Sequence, residues 1–254
     1  MRSLFFWGRE AYYFLLTIIT VIGVSMHSKT FITFLFIISL AGSLHSQSYN
    51  SNYSSDPNFY GGIVIGYNGG FGLQVNGTIS NFAKDFPLSA RFGIGYTSTE
   101  PGSPTEARKV FINNATNGIP EESGWIWDFR MDLLYNIKLF SMRKSFLFAG
   151  VRYSMFTANF KFIGGNEFFD VTSNQWGLGG GLESYFALGS NLDLVITAGV
   201  DYYFSGTIKG HDTAYSPDGE SINPREDYNY EDADNSVNQP KILPRVMVGF
   251  NYGF

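Results

Sequence analysis

The sequence predicts an all-β chain: an eight-stranded antiparallel transmembrane β-barrel preceded by a signal sequence. Three observations carry this reading. The last nine residues alternate without interruption, Val246, Val248, Phe250, Tyr252 and Phe254 on one face and Met247, Gly249, Asn251 and Gly253 on the other. A period of two marks a strand. Segments of the same kind recur back to residue 59, and the connections between them alternate short and long. The charged residues inside those segments fall on the face opposite the apolar set, as lipid demands, because an Arg at the bilayer midplane costs about 2–4 kcal/mol.

Two apolar stretches open the chain. The second, from Met26, carries Lys29, an apolar run from Phe31 to Leu40 and small residues after it. Residues 26–46 therefore read as a signal peptide, cleaved after Ser43 or Ser46. Residues 1–25 read as an upstream extension or extra apolar segment, with translation beginning at Met26. The competing reading is a helical anchor, although each run is shorter than the ~20 residues a span needs. Residues 47–58, rich in Ser, Asn and Tyr, form a flexible lead-in, and residues 59–254 form the barrel domain.

Four strands are clear: 71–80, 88–97, 125–137 and 192–205. In 125–137, for example, Trp125, Trp127, Phe129, Met131, Leu133, Tyr135 and Ile137 share one face. Segments 59–67, 145–156 and 174–187 are glycine-rich or apolar on both faces, and in the last two the charges set the phase. With the final strand the total is eight. The links at 81–87, 138–144 and 188–191 are short, and those at 98–124, 157–173 and 206–241 are long and polar. Asn68-Gly69-Gly70 is a tight hairpin signal, and a short helix is expected over 104–112. An even strand number puts both termini in the periplasm and the long loops outside the cell.

Composition agrees. Aromatic residues make up 18% of the chain and charged residues 15%, with 29 Gly, 25 Phe and 16 Tyr, a profile that suits aromatic girdles and bent strands. The mean hydropathy of −0.05 excludes a helical membrane protein beyond residue 46. A net charge of −5 argues against nucleic acid as partner. With no cysteine there is no disulfide, thiolate metal site, Cys nucleophile or lipidated Cys.

The C-terminal VMVGFNYGF, the strand WIWDFRMDLLY and the hairpin GLQVNGTISNF…FPLSARFGIGY resemble the small outer-membrane β-barrels of the OmpA/OmpX type. More closely, the chain is similar to the signal-peptide-bearing outer-membrane barrel-domain proteins of Bacteroidota, over about residues 59–254. The short first turn departs from that pattern. The resemblance implies a monomer in the outer membrane of a Gram-negative bacterium, contacting its lipids and, through the assembly strand Val246, Val248, Phe250, Tyr252 and Phe254, the barrel-assembly machinery.

Nine charged residues are expected to face the lumen: Arg91, Asp128, Arg130, Asp132, Arg152, Glu183, Asp193, Asp201 and Arg245. An eight-stranded barrel is just wide enough for its own side chains, and buried charges must be paired. A salt-bridge network plugging the lumen follows, with a gated small-ion path as the competing reading. No residue is assigned a catalytic role. His211 beside Asp212, Thr213 and Ser216 offers a formal His–Asp pair, but a solvated loop histidine is the simpler account. Asp227, Glu231, Asp232 and Asp234 are weak candidates for Ca²⁺, with a hydrated acidic run as the simpler account; no metal or other cofactor is assigned. Tyr215, Tyr228 and Tyr230 suit a recognition surface or the ordering of the loop on its own rim. The glycines at 177, 179, 180 and 181 relieve crowding or bend the wall. The expected role is structural or surface interaction through the loops 98–124, 157–173 and 206–241. A narrow porin-like channel or small-solute transporter is the alternative, and a lipid or protein hydrolase a weaker one.

Overall fold

A computed structural model describes residues 57–83, 86–114, 117–138, 144–165 and 167–254. The extension, the signal peptide and residues 47–56 of the lead-in lie outside the described residues.

Eight strands close into one ring. β1 (Asn58–Asn68), β2 (Phe71–Ser80), β3 (Leu88–Thr99), β4 (Ile119–Ile137), β5 (Ser145–Ile163), β6 (Phe168–Ala187) and β7 (Leu192–Tyr203) each pair antiparallel with the next. Between β7 and the last strand come β8 (Ile208–Gly210) and β9 (Thr213–Tyr215), a short ribbon that continues from β6. The last strand, β10 (Ile242–Gly253), pairs with both β7 and β1. β1 is a full strand, in register from Tyr60↔Gly253 to Asn68↔Arg245. The Phe254 N–H donates to the Phe59 carbonyl at 3.0 Å, so the first and last strands meet at one end of the barrel.

The alternation sorts the side chains by solvent. Ile63, Val75, Phe92, Ile94, Phe129, Met131, Ile196 and Val248 point out of the ring and are exposed, an apolar outer surface suited to lipid. Toward the end away from the termini, Tyr67, Tyr96, Trp127, Tyr153, Trp176 and Tyr202 form a girdle, with edge-on or tilted ring pairs at Tyr96–Trp127 and Tyr153–Trp176. At the terminal end stand Phe59, Tyr135, Tyr252 and Phe254. From Trp127 to Tyr135 the chain climbs about 26 Å, or about 20 Å at a tilt near 40°, somewhat less than the ~25 Å apolar band of an outer-membrane barrel.

β4, β5 and β6 do not stop at the girdle. The segment 157–173 is expected to be a loop, yet β5 runs to Ile163 and β6 starts at Phe168, leaving only a tight connection. The reason is visible in the polarity of β5. In the half of the band nearer the girdle its inward residues are polar (Arg152, Ser154) and its outward ones apolar (Val151, Met155), with Phe148 an inward apolar side chain nearer the termini. Beyond the girdle Phe156, Ala158, Phe160 and Phe162 turn inward and are buried, while Asn159 and Lys161 face out. Period two continues, but the solvent outside has changed from lipid to water. The expected loop 98–124 likewise contains α1 (Pro104–Phe111) and the start of β4 at Ile119.

The inward apolar wall of this extension needs a cover. α1 begins at the N-cap Ser103, whose hydroxyl accepts from the Glu106 N–H at 3.4 Å, with Pro104 in its first turn. α2 (Tyr230–Ser236) starts with a reciprocal capping box between Asn229 and Asp232. Both helices and the β8–β9 ribbon contribute to one core, in which Ala107, Val110, Phe111, Ile208, Tyr215, Ala233 and Val237 meet Phe156, Phe160, Phe162 and Phe169. The loop 206–241 is thus a folded cap with its own hydrophobic interior.

Candidate functional site in the lumen and the cap

The inward residues of five strands meet in the lumen. Starting nearest the termini, the Tyr185 hydroxyl donates to Glu183 Oε1 at 2.5 Å, and Glu183 Oε2 receives Arg91 Nη1 at 2.6 Å. Arg91 Nη2 reaches Asp132 Oδ2 at 3.3 Å, and Asp132 Oδ1 meets Arg152 Nη1 at 2.7 Å. Arg152 Nε donates to Asp201 Oδ1 at 2.8 Å, Asp201 Oδ2 lies 3.3 Å from Arg130 Nη2, and Arg130 Nε meets Asp128 Oδ1 at 2.5 Å. Three arginines and four carboxylates therefore form one unbroken chain, each side chain no more than 6% exposed. In so dry a setting alternating charge is the arrangement that compensates desolvation.

Two of the nine expected residues stand apart. Asp193 pairs with Lys144 at 2.6 Å and is half-buried near the terminal end. Arg245 is buried, yet its bonded partner is the neutral Gln74 Oε1 at 3.0 Å. Its guanidinium lies over the Phe148 ring, 5.1 Å from the centroid, as does that of Arg91 at 5.2 Å.

Several participants escaped the sequence reading: Tyr185, Phe148 and Lys144. The glycines expected to relieve crowding do so. A side chain at Gly179 would place its Cβ 1.8 Å from Asp201 Oδ1 and 2.7 Å from Arg152 Nε, and one at Gly181 would meet the Phe148 ring at 2.7 Å. Tyr185 shares parity with Glu183, and Phe148 with Arg152, so strand parity was the signal that could have found them.

Above the network the segment leading into β10 crosses to the inner face of β6. Ser173 Oγ donates to Gln239 Oε1 at 2.6 Å, and Gln175 Nε2 donates to the Pro240 carbonyl at 2.9 Å. In the cap, Arg108 pairs with Glu167 and lies 4.6 Å from the Phe162 centroid. The Tyr215 hydroxyl donates to the Val110 carbonyl at 3.0 Å and accepts from Arg225 N–H at 3.1 Å; burial, first of all, raises its pKa.

The remaining sequence candidates lie on the cap surface. Asp232 is occupied by the α2 capping box, and Asp234 binds Lys241 at 2.7 Å and Gln239 at 2.6 Å. Asp227 and Glu231 are exposed. Among the described residues no three His, Asp or Glu side chains gather as a metal site would require. His211 Nδ1 is 3.3 Å from Asp212 Oδ1, both largely exposed, while Thr213 Oγ1 is turned to the Gly210 carbonyl and Ser216 Oγ to Thr207. No nucleophile completes that pair. Val246, Val248, Phe250 and Tyr252 form the outward row of β10, with Phe254 just beyond it, and all are exposed.

No family model matches the chain, and no curated protein matches it. Among solved structures it is similar to a major outer membrane protein from Thermus thermophilus, at 26% identity and a TM-score of 0.62, over 78% of this chain and 99% of that one. Two Acinetobacter baumannii structures also match: CarO2 at 13% identity and a TM-score of 0.39, over 78% of this chain and 98% of that one, and CarO at 14% and 0.37, over 80% and 100%. A closed eight-stranded ring, an outward apolar band between aromatic girdles and the likeness to the Thermus protein together make this chain an outer-membrane β-barrel protein.

Proposed function

We propose that the protein is a monomeric, non-enzymatic surface protein of the bacterial outer membrane, of the small OmpA/OmpX-like kind, with its termini in the periplasm, its lumen plugged and its folded cap outside the cell as an interaction surface. The observation that carries this reading is the unbroken run of buried ion pairs from Glu183 to Asp128, overlaid by the Gln239–Pro240 crossing and the apolar core of the cap. Eight strands leave room for side chains and little else. The interior cavities are accordingly small, about 10 Å³ and about 50 Å³. A narrow porin-like channel would require the network to part and the cap to lift together. Fold alone does not assign a role; the interaction role rests on the folding of a cap larger than closure requires, with acidic side chains such as Asp227 and Glu231 exposed on its face, while Tyr215 is buried in its core and Tyr228 and Tyr230 pack against it.

The absence of cysteine makes the topology testable by labelling. With Asn235→Cys in α2, a membrane-impermeant maleimide should react on intact cells. With Ser190→Cys, in the connection before β7, it should react only after the outer membrane is permeabilised. The reverse pattern would overturn the orientation. Replacing residues 206–241 by a short turn should leave a folded barrel that no longer binds its cell-surface or host ligand; undiminished binding would move the interaction elsewhere.

A further inference from the structure

We propose that the cap carries a binding cleft for a saccharide unit, uncharged or bearing an amine, walled by Asp212, Asn223 and Tyr228. The cleft presupposes a cap that serves as an interaction surface outside the cell, and it names the chemistry that surface meets. It has a volume of about 450 Å³ and lies between the C-terminal end of α1, the turn joining β8 to β9 and the segment 223–228. That size falls within the ~300–1,000 Å³ of small-ligand sites, whereas the lumen cavities measure about 10 Å³ and about 50 Å³. Its polar groups open to solvent: Asn114, Asp212, Asn223, Glu226 and Asp227 are all exposed.

The walls are held from behind. The Arg225 N–H donates to the buried Tyr215 hydroxyl at 3.1 Å, and the Arg225 guanidinium donates to the Ile112 carbonyl. The Tyr228 N–H donates to the Arg225 carbonyl at 3.1 Å, and the Tyr228 hydroxyl donates to Asn114 Oδ1 at 3.4 Å. Asn223 Nδ2 donates to Asp212 Oδ2 at 3.3 Å. Asn223 has a φ of +46° and His211, next to Asp212, one of +31°, two of the three non-glycine residues with positive φ among the described residues. Such backbone costs energy and gathers at ligand clamps; here it sets a carboxylate and an amide side by side.

The lining selects the ligand. Asp212, Glu226 and Asp227 stand against Arg225 alone, and that guanidinium is turned onto Ile112, so phosphate, sulfate and uronate are disfavoured by like charge. Among the described residues no three carboxylates gather as a metal ion requires. An apolar ligand would desolvate the amides and carboxylates without replacing their hydrogen bonds. A sugar ring meets every part. Its hydroxyls donate to carboxylates and both donate to and accept from amides, and its C–H face covers an amphipathic ring such as Tyr228. An amine in place of one hydroxyl adds a charge-assisted bond to a carboxylate.

The refolded protein should bind neutral and amino di- or trisaccharides on a glycan array and acidic ones more weakly. In saturation-transfer NMR with the strongest of these binders, Asp212→Ala should weaken affinity roughly tenfold, and so should Asn223→Gly, which keeps the backbone angle. Glu220→Gln, on the same cap and exposed but outside the cleft, should stay within about twofold. No sugar bound, acidic sugars bound as tightly as neutral ones, or equal losses from Asp212→Ala and Glu220→Gln would overturn the cleft. A cell-surface ligand lost on deletion of 206–241 but retained by Asp212→Ala and Asn223→Gly would also overturn it, leaving the interaction surface standing. Maleimide labelling of Asn235→Cys only in permeabilised cells would overturn that surface reading, even with sugar bound by the refolded protein.

Discussion

Arg152 carries the most weight of any single residue. It is fully buried and bridges Asp132 and Asp201 at 2.7 and 2.8 Å. Removing one member of such a set strands the others in a dry interior, at a cost of about 3–5 kcal/mol. Arg152→Ala should therefore lower the urea midpoint of the refolded barrel by that equivalent. Lys161→Ala, which breaks an exposed contact to Glu121 at 3.7 Å, should stay within about 0.5 kcal/mol of wild type. Equal effects would contradict the network's role. Glycines allow a paired test. Gly179→Ala drives a methyl into the Asp201 carboxylate, whereas Gly77→Ala meets nothing within 4 Å. The first should lose the compact, heat-modifiable band on unboiled gels and the second should keep it. The inward direction of these residues was legible from strand parity. Their pairings were not, because Arg152 finds Asp201 only once β5, β6 and β7 are in register, and register across glycine-rich faces leaves little trace in a single sequence. The same register sets Arg245 on the neutral Gln74, with no carboxylate salt-bridged to it among the described residues, which no charge count reveals.

Among the elements, β5 best explains what could be read and what could not. The alternation through Tyr153 and Met155 is that of a strand in lipid, apolar side outward. From Phe156 onward the apolar side turns inward, and a search for outward apolar residues ends the strand there. The residues themselves kept period two through Ile163; the assumed solvent was at fault. The cap was illegible for a related reason. Its core joins Phe111 from one connection, Tyr215 from another and Phe160 from the wall, and composition in each piece alone reads as polar loop. Phe111, 1% exposed and edge-on to Tyr215 at 5.6 Å, is the natural probe. Phe111→Ala should cost the cap about 3–5 kcal/mol, read as faster trypsin cleavage after Lys209 and Arg225 with the barrel's urea midpoint unchanged. A pH effect follows from Tyr215. Burial raises its pKa above that of a free tyrosine, so its contribution is fully present below about pH 10 and lost as pH rises through the folded value. Cap protection against proteolysis should fall in that alkaline window, and Tyr215→Phe should remove this component. An alkaline loss of the same size in the variant would assign it to other groups.

At the scale of the molecule, the even count of strands was the most legible feature, because 71–80, 88–97, 125–137, 192–205 and the last strand state their own period; that β1 is a full strand closing on β10 was not, because 59–67 is glycine-rich. Closure removes both sheet edges, and lipid in turn demands it, since unpaired backbone groups have no partner in hydrocarbon. With eight strands the interior is then committed to side chains. In the proposed function the molecule joins two halves: a wall that places the chain in a membrane, and a plugged lumen under a folded cap. The measurement that tests this union most directly is single-channel recording of the refolded protein in a planar lipid bilayer, with Arg152→Ala and a variant lacking residues 206–241 alongside. The wild type should give no steady conductance, and leak currents should arise only where network and cap are both removed. A large, stable, water-filled conductance from the intact protein would contradict a plugged lumen.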